Sequence, residues 1–195
     1  NIGEFNPSIA GVGSHNIIYT IVASCGDSDS LTIIVNQQSD ASILTTGPFC
    51  EADSNIFFSA LNSGGVWSGN GIVDINTGKF IPSIAGVGIH TITYIISSLC
   101  SDTSSININI NTTPSVSVLN DTICDSNFLI LYATGSGGNI NWYSDIPLTN
   151  NVGSGNFYLT GQTAVGVYTY YLTETDANGC ESNSTAVDLE IYSLP

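Results

Sequence analysis

The chain has 195 residues, of which 42% are apolar and only 9% charged, with sixteen acidic residues against one cation and a formal net charge of −15. A polyanion whose single base is Lys79 cannot neutralise phosphates or dock on an anionic membrane, so nucleic acid and lipid surfaces are excluded as partners. No apolar run approaches the roughly 18 residues that a membrane-spanning helix needs, so membrane insertion is not expected.

The elements begin with a duplication. "PSIAGVG" occurs at residues 7–13 and again at 82–88. Sliding the chain by 75 residues lays 1–36 on 76–111 without a gap, and 19 of the 36 positions are identical. The pairs include Phe5/Phe80, His15/His90, Tyr19/Tyr94, Cys25/Cys100 and Asp27/Asp102, which marks an internal repeat. Residues 1–37 then read as the rear part of a truncated unit, residues 38–112 as a complete one with "NTTP" as its linker, and residues 113–195 as a diverged third. With no signal peptide and no methionine, the sequence is expected to be a piece of a longer product.

In chain order the second unit gives short strands in "NIFFSAL", "VWSGNG", "KFIP", "IHTITYIISS" and "SSININI", with "SIAGVG" as a loop. The third gives "SVSVL", "FLILYAT", "NINWYSD", "NFYLTG", "VYTYYLTET" and "AVDLEIY". Ile alternates with polar residues in "SININI", the period-two pattern of a half-buried strand, and turn signals such as "TGSGGN", "NNVGSGN" and "DANG" separate the runs. No window carries a helical period. The expected fold class is all-β: tandem immunoglobulin-like antiparallel β-sandwich domains in an elongated array.

The five cysteines lie far from zinc-ligand spacing. In an immunoglobulin-type sandwich a disulfide ties an early strand to a late one beside a buried Trp, and the order Cys50–Trp67–Cys100 and Cys124–Trp142–Cys180 repeats that arrangement. The pairings expected from it are Cys50–Cys100 and Cys124–Cys180. Cys25 is left unpaired by truncation, with an intermolecular disulfide as the rival.

"GGVWSGNGIVD" followed by "TGKFIPSIAGVGIHTITYIISSLCSDTSSININI" resembles the Ig-like/PKD-like repeats of very large cell-surface and secreted, adhesin-type proteins of the Bacteroidetes. The third unit is similar to Ig-like modules that accompany sorting domains in the same bacteria. The resemblance implies an extracellular, non-enzymatic stalk or fibre segment on the bacterial surface. Its partners would be neighbouring Ig-like domains of the same or another chain. The alternatives are a module that binds surface glycans or proteins, and an accessory region of a secreted hydrolase. "DSL" and "DTI" resemble the Asp-Ser/Thr-apolar sites that these bacteria O-glycosylate, which would place sugar on Ser30 and Thr122.

No catalytic or cofactor-binding residues are expected. His15 and His90 occupy one repeat position, which favours a structural role, and "GSGGN" and "GNG" lack the lysine and helix start of a phosphate loop. The acidic clusters near cysteines, Asp27 and Asp29, Glu51 and Asp53, Glu174 and Asp176, are candidate calcium ligands, although none has EF-hand spacing and solvated turns suit them better.

Overall fold

A computed structural model describes residues 3–124 and 129–193. In chain order it contains α1 (Pro7–Ala10), β1 (Gly13–Ile21), β2 (Asp27–Val35), β3 (Phe49–Cys50), β4 (Ile56–Phe57), β5 (Val66–Ser68), β6 (Ile72–Asp74), β7 (Lys79–Phe80) and α2 (Pro82–Ala85). There follow β8 (Gly88–Ile96), β9 (Asp102–Asn111), β10 (Val116–Val118), β11 (Asp121–Cys124), β12 (Ile130–Gly135) and β13 (Asn139–Tyr143). The chain ends in β14 (Asn151–Ser154), β15 (Phe157–Leu159), β16 (Gly166–Thr175) and β17 (Thr185–Tyr192). The all-β expectation holds. The expected strand at "FLILYAT" is β12, and its Phe128 lies outside the described residues.

The chain divides into two compact units, one of Asn1–Thr46, Phe57–Phe80 and Thr91–Asn107, the other of Gly47–Ile56, Ile81–His90 and Ile108–Pro195. In the first unit β1 and β2 form an antiparallel hairpin running from Gly13↔Val35 to Ile21↔Asp27. β5 pairs with β8 at Trp67↔Tyr94, and the aromatic rings gather there. Trp67 lies 4.3 Å from Tyr94 and 5.7 Å from Phe58, which meets Phe80 edge-on at 5.4 Å. Ile92 and Phe80 are fully buried.

In the second unit two sheets, β10-β12-β15 and β11-β17-β16-β13-β14, enclose one core. Alternate residues supply it, as the two-residue period of a strand requires. Leu131 and Ala133 come from one sheet, Ile140, Trp142, Tyr170, Leu172 and Val187 from the other. Trp142 is completely buried, and its Nε1–H donates to the Gly155 carbonyl at 2.9 Å. Two sheets packed over a core of alternating side chains make an Ig-like β-sandwich.

Two local readings need correction, and one further strand appears. "PSIA" forms a single helical turn in both copies, not a plain loop, because Pro stands at its first position with φ already helical. Gly86 ends the second turn at φ 81°, a backbone angle that costs a residue with Cβ. "NVGS", expected as part of a turn, is strand β14, which pairs with β13 through a bulge at Trp142/Tyr143. "DTIC" is strand β11, which runs parallel to β17.

Candidate functional site

The feature that two short strands build is a disulfide. β3 pairs in parallel with the end of β9, Phe49↔Ile110 and Cys50↔Asn111. Glu51 N–H donates to the Asn111 carbonyl at 2.9 Å and Ala52 N–H to Thr113 Oγ1 at 3.0 Å, fixing the chain that leaves Cys50. Cys180 lies in the turn between β16 and β17 and is fully buried. Cys50 and Cys180 belong to the same compact unit and are bonded, with Cα atoms 5.6 Å apart across 130 residues of sequence.

This corrects both expected pairings, Cys50–Cys100 and Cys124–Cys180. β11 pairs in parallel with β17 and carries Cys124 beside Tyr192, at the strand's far end, whereas Cys180 precedes its first residue, Thr185. Seven steps of strand span roughly 23 Å, and a disulfide needs Cα atoms within about 7 Å. The same parallel geometry sets Cys50 at the end of β9 and Cys100 ahead of its start. Cys25, Cys100 and Cys124 carry free thiols, Cys25 and Cys124 on exposed positions.

The acidic candidates serve the backbone. Asp53 accepts the Cys50 N–H at 2.8 Å, and Asp176 accepts those of Cys180 at 2.8 Å and Asn178 at 2.9 Å. The two carboxylates therefore close the turns that present the bonded cysteines. The Cys180 amide is the main reason that the Asp176 carboxyl is held below its ordinary value. Asp27 and Asp29 sit on exposed β2, each accepting the amide of the following serine at 2.8 Å. Glu51 lies in the turn after β3. Among the described residues no three His, Cys, Asp or Glu side chains are grouped to hold a metal.

Glu174 was not legible as a structural residue. It is completely buried on β16, and its Oε2 accepts Ser136 N–H at 2.8 Å and Ser136 Oγ–H at 3.0 Å, while Oε1 accepts Gly138 N–H. Burial pushes its carboxyl up, but these donors outweigh burial and leave it below the ordinary glutamate value. The "GSGG" turn is thus an anion cradle filled by the chain's own carboxylate. A Cβ on Gly135 would stand 2.7 Å from Oε2, so any side chain there must displace the Glu174 carboxylate.

His15 and His90 are structural in the same way. Each Nε2–H donates to a carbonyl at 2.8 Å, of Gly11 and Gly86 respectively, latching the helical turn onto the strand that follows. His90→Ala is expected to cost about 1 kcal/mol, the net value of one such bond, measured by urea denaturation. His90→Gln should restore part of it.

Ser30 and Thr122 are exposed, on β2 and β11. An open cleft of about 610 Å³ adjoins Thr122, lined by Val118, Leu119, Asp121, Ile130 and Tyr132 among others. Tyr132 and Leu119 are 69% and 85% exposed there. No helix of the described residues is long and apolar enough to cross a membrane.

With this geometry in hand, residues 112–192 match the family described as "Ig-like domain CHU_C associated". That segment resembles the family and folds as an Ig-like β-sandwich. No curated protein matches the chain. Among solved structures it is similar to the fibronectin(III)-like modules of Clostridium thermocellum CbhA, at 18% identity over 77% of this chain and 91% of that one, with a TM-score of 0.39. It is also similar to Drosophila OTK extracellular domains 3–5, at 13% identity over 93% and 71%, TM-score 0.44. A third similarity is to the N-terminal Ig1-2 module of the Drosophila receptor protein tyrosine phosphatase DLAR, at 12% over 79% and 100%, TM-score 0.33.

Proposed function

We propose that the chain is a non-enzymatic spacer segment of a bacterial cell-surface adhesin-type protein, in which tandem Ig-like modules hold a distal part away from the cell. The observation that carries this reading is the hairpin β1–β2. Ile17, Tyr19 and Ile21 are the 75-residue equivalents of Ile92, Tyr94 and Ile96. Thr91 bonds Asn107 and Thr93 bonds Ser105 across β8 and β9, the same register as Asn16↔Thr32 and Ile18↔Ser30. Yet Ile17, Tyr19 and Ile21 are 41%, 61% and 48% exposed, whereas their counterparts are 0%, 3% and 6% exposed. One sequence with one register and two burials is the behaviour of a repeat whose second copy is covered by the Trp67–Phe58–Phe80 cluster. Serial modules of this kind stack a polar, regular chain without needing a ligand site.

Pulling the chain by its ends tests the reading. Cys50–Cys180 shields residues 51–179 from extension, so reduction should lengthen the fully extended chain by roughly 450 Å at about 3.5 Å per residue. Stepwise, reversible unfolding on each side of that change supports a load-bearing spacer; extension without any step overturns it.

The cleft beside Tyr132 favours a second reading, a module that binds a surface glycan, since an exposed ring next to a carboxylate suits a sugar's apolar face and hydroxyls. Glycan-array binding that Tyr132→Ala abolishes would establish it in place of the spacer.

A further inference from the structure

The cysteines fall into two positional classes. Cys25 and Cys100 are one repeat position, in the turns between β1 and β2 and between β8 and β9, and Cys180 holds the corresponding turn between β16 and β17. Cys50 and Cys124 form the other class. Each ends a short leading strand that lies parallel to the last strand of its sheet, opposite Asn111 and Tyr192. A leading cysteine and the hairpin-turn cysteine of its own segment therefore sit at opposite ends of one strand. The bond that does form joins the leading cysteine of segment 38–112 to the hairpin-turn cysteine of segment 113–195.

We infer that the disulfides of this chain follow a neighbour register: the leading cysteine of one module bonds the hairpin-turn cysteine of the next. Cys100 is then the site for the leading cysteine of a module placed ahead of it, and Cys124 the site for the hairpin-turn cysteine of a module placed behind. The partner is a second module of the same kind. Each bond removes two protons and two electrons from a pair of thiols, delivered to the disulfide of a thiol oxidant that leaves as a dithiol. Cys100 and Cys124 both lie inside the loop closed by Cys50–Cys180. Successive bonds therefore overlap, and load passes between modules through sulfur as well as backbone. This last step rests on the array reading, but the register itself does not.

Alkylation of the non-reduced chain in denaturant, which opens the buried Cys180 to the reagent, followed by peptide mapping tests it. The expected result is label on Cys25, Cys100 and Cys124 with one crosslinked peptide, Cys50–Cys180, and a fourth label, on Cys180, in Cys50→Ser. A single labelled cysteine with Cys50–Cys100 and Cys124–Cys180 peptides overturns the register, as does loss of label from Cys124 in Cys50→Ser. Fusing a copy of residues 38–75 ahead of Asn1 completes the first repeat, and its added leading cysteine should bond Cys100. A bond to Cys25 instead, or a free added thiol, overturns the extension to further modules. These labels depend on the folded chain alone, so a spacer reading that fails in the pulling experiment leaves them unchanged.

Discussion

Trp142→Ala is expected to remove about 4 kcal/mol of stability, within the range for emptying a fully buried aromatic site. The ring is 0% exposed, between Leu131 and Ala133 of one sheet and Tyr170, Leu172 and Val187 of the other. It also stacks on Tyr158 at 5.7 Å, and its Nε1–H satisfies the Gly155 carbonyl. Alanine leaves a void that strands on both sides cannot close, because their backbones are held apart by the remaining side chains. With the whole net stability of a domain at about 5–15 kcal/mol, the loss takes at least about a quarter of it. Urea denaturation followed by far-ultraviolet circular dichroism should show it, and hydrogen exchange should place the lost protection in β12, β13, β16 and β17. Tyr143, the next residue, points out of this core, and Tyr143→Ala should cost less than 1 kcal/mol. Equal losses at the two positions would remove the sandwich core from the account.

The strands were legible because their physics is local. Alternation in "SININI" and "VYTYYLTET" decides which side chains face inward, and the turn residues between the runs decide where each ends. The disulfide was not, because it depends on which end of the last strand each short leading strand pairs with. β3 has two residues and β11 four, too few to announce themselves, and nothing in "FC" or "DTIC" says that each lies parallel to a strand about 60–70 residues later. The repeat was legible as identity but not as environment: Tyr19 and Tyr94 are the same letter at the same register, and only the neighbours of Tyr94 make it core. Asp53 and Asp176 read correctly as turn residues, yet that each turn presents a bonded cysteine appears only in three dimensions. Glu174, in "TETDANG", looked like one more solvated acid because its partners lie 36 to 38 residues upstream.

That carboxylate sets the chain's response to acid. Glu174→Gln replaces an acceptor of three hydrogen bonds by an amide whose NH₂ must face at least one N–H or O–H donor. Donors left without an acceptor in a buried site cost about 1–3 kcal/mol each, so the variant should lose about 3 kcal/mol at pH 7. The pH dependence follows from the direction of the shift. The folded carboxyl lies below its unfolded value, so its contribution is complete above the unfolded glutamate pKa of about 4.3. It is lost as pH falls through the folded value. Asp145 and Asp176 are held low as well and weaken the wild type in the same direction. They are common to both proteins and cancel in the difference. The gap between wild type and Glu174→Gln, read from denaturation midpoints, should therefore be wide at pH 7, begin to narrow near pH 4 and be smaller still at pH 2.5. A gap that stays constant across this window would mean that folding leaves the Glu174 carboxyl unshifted, with no net gain from the charged form. The "GSGG" turn would then be held by shape instead of by charge.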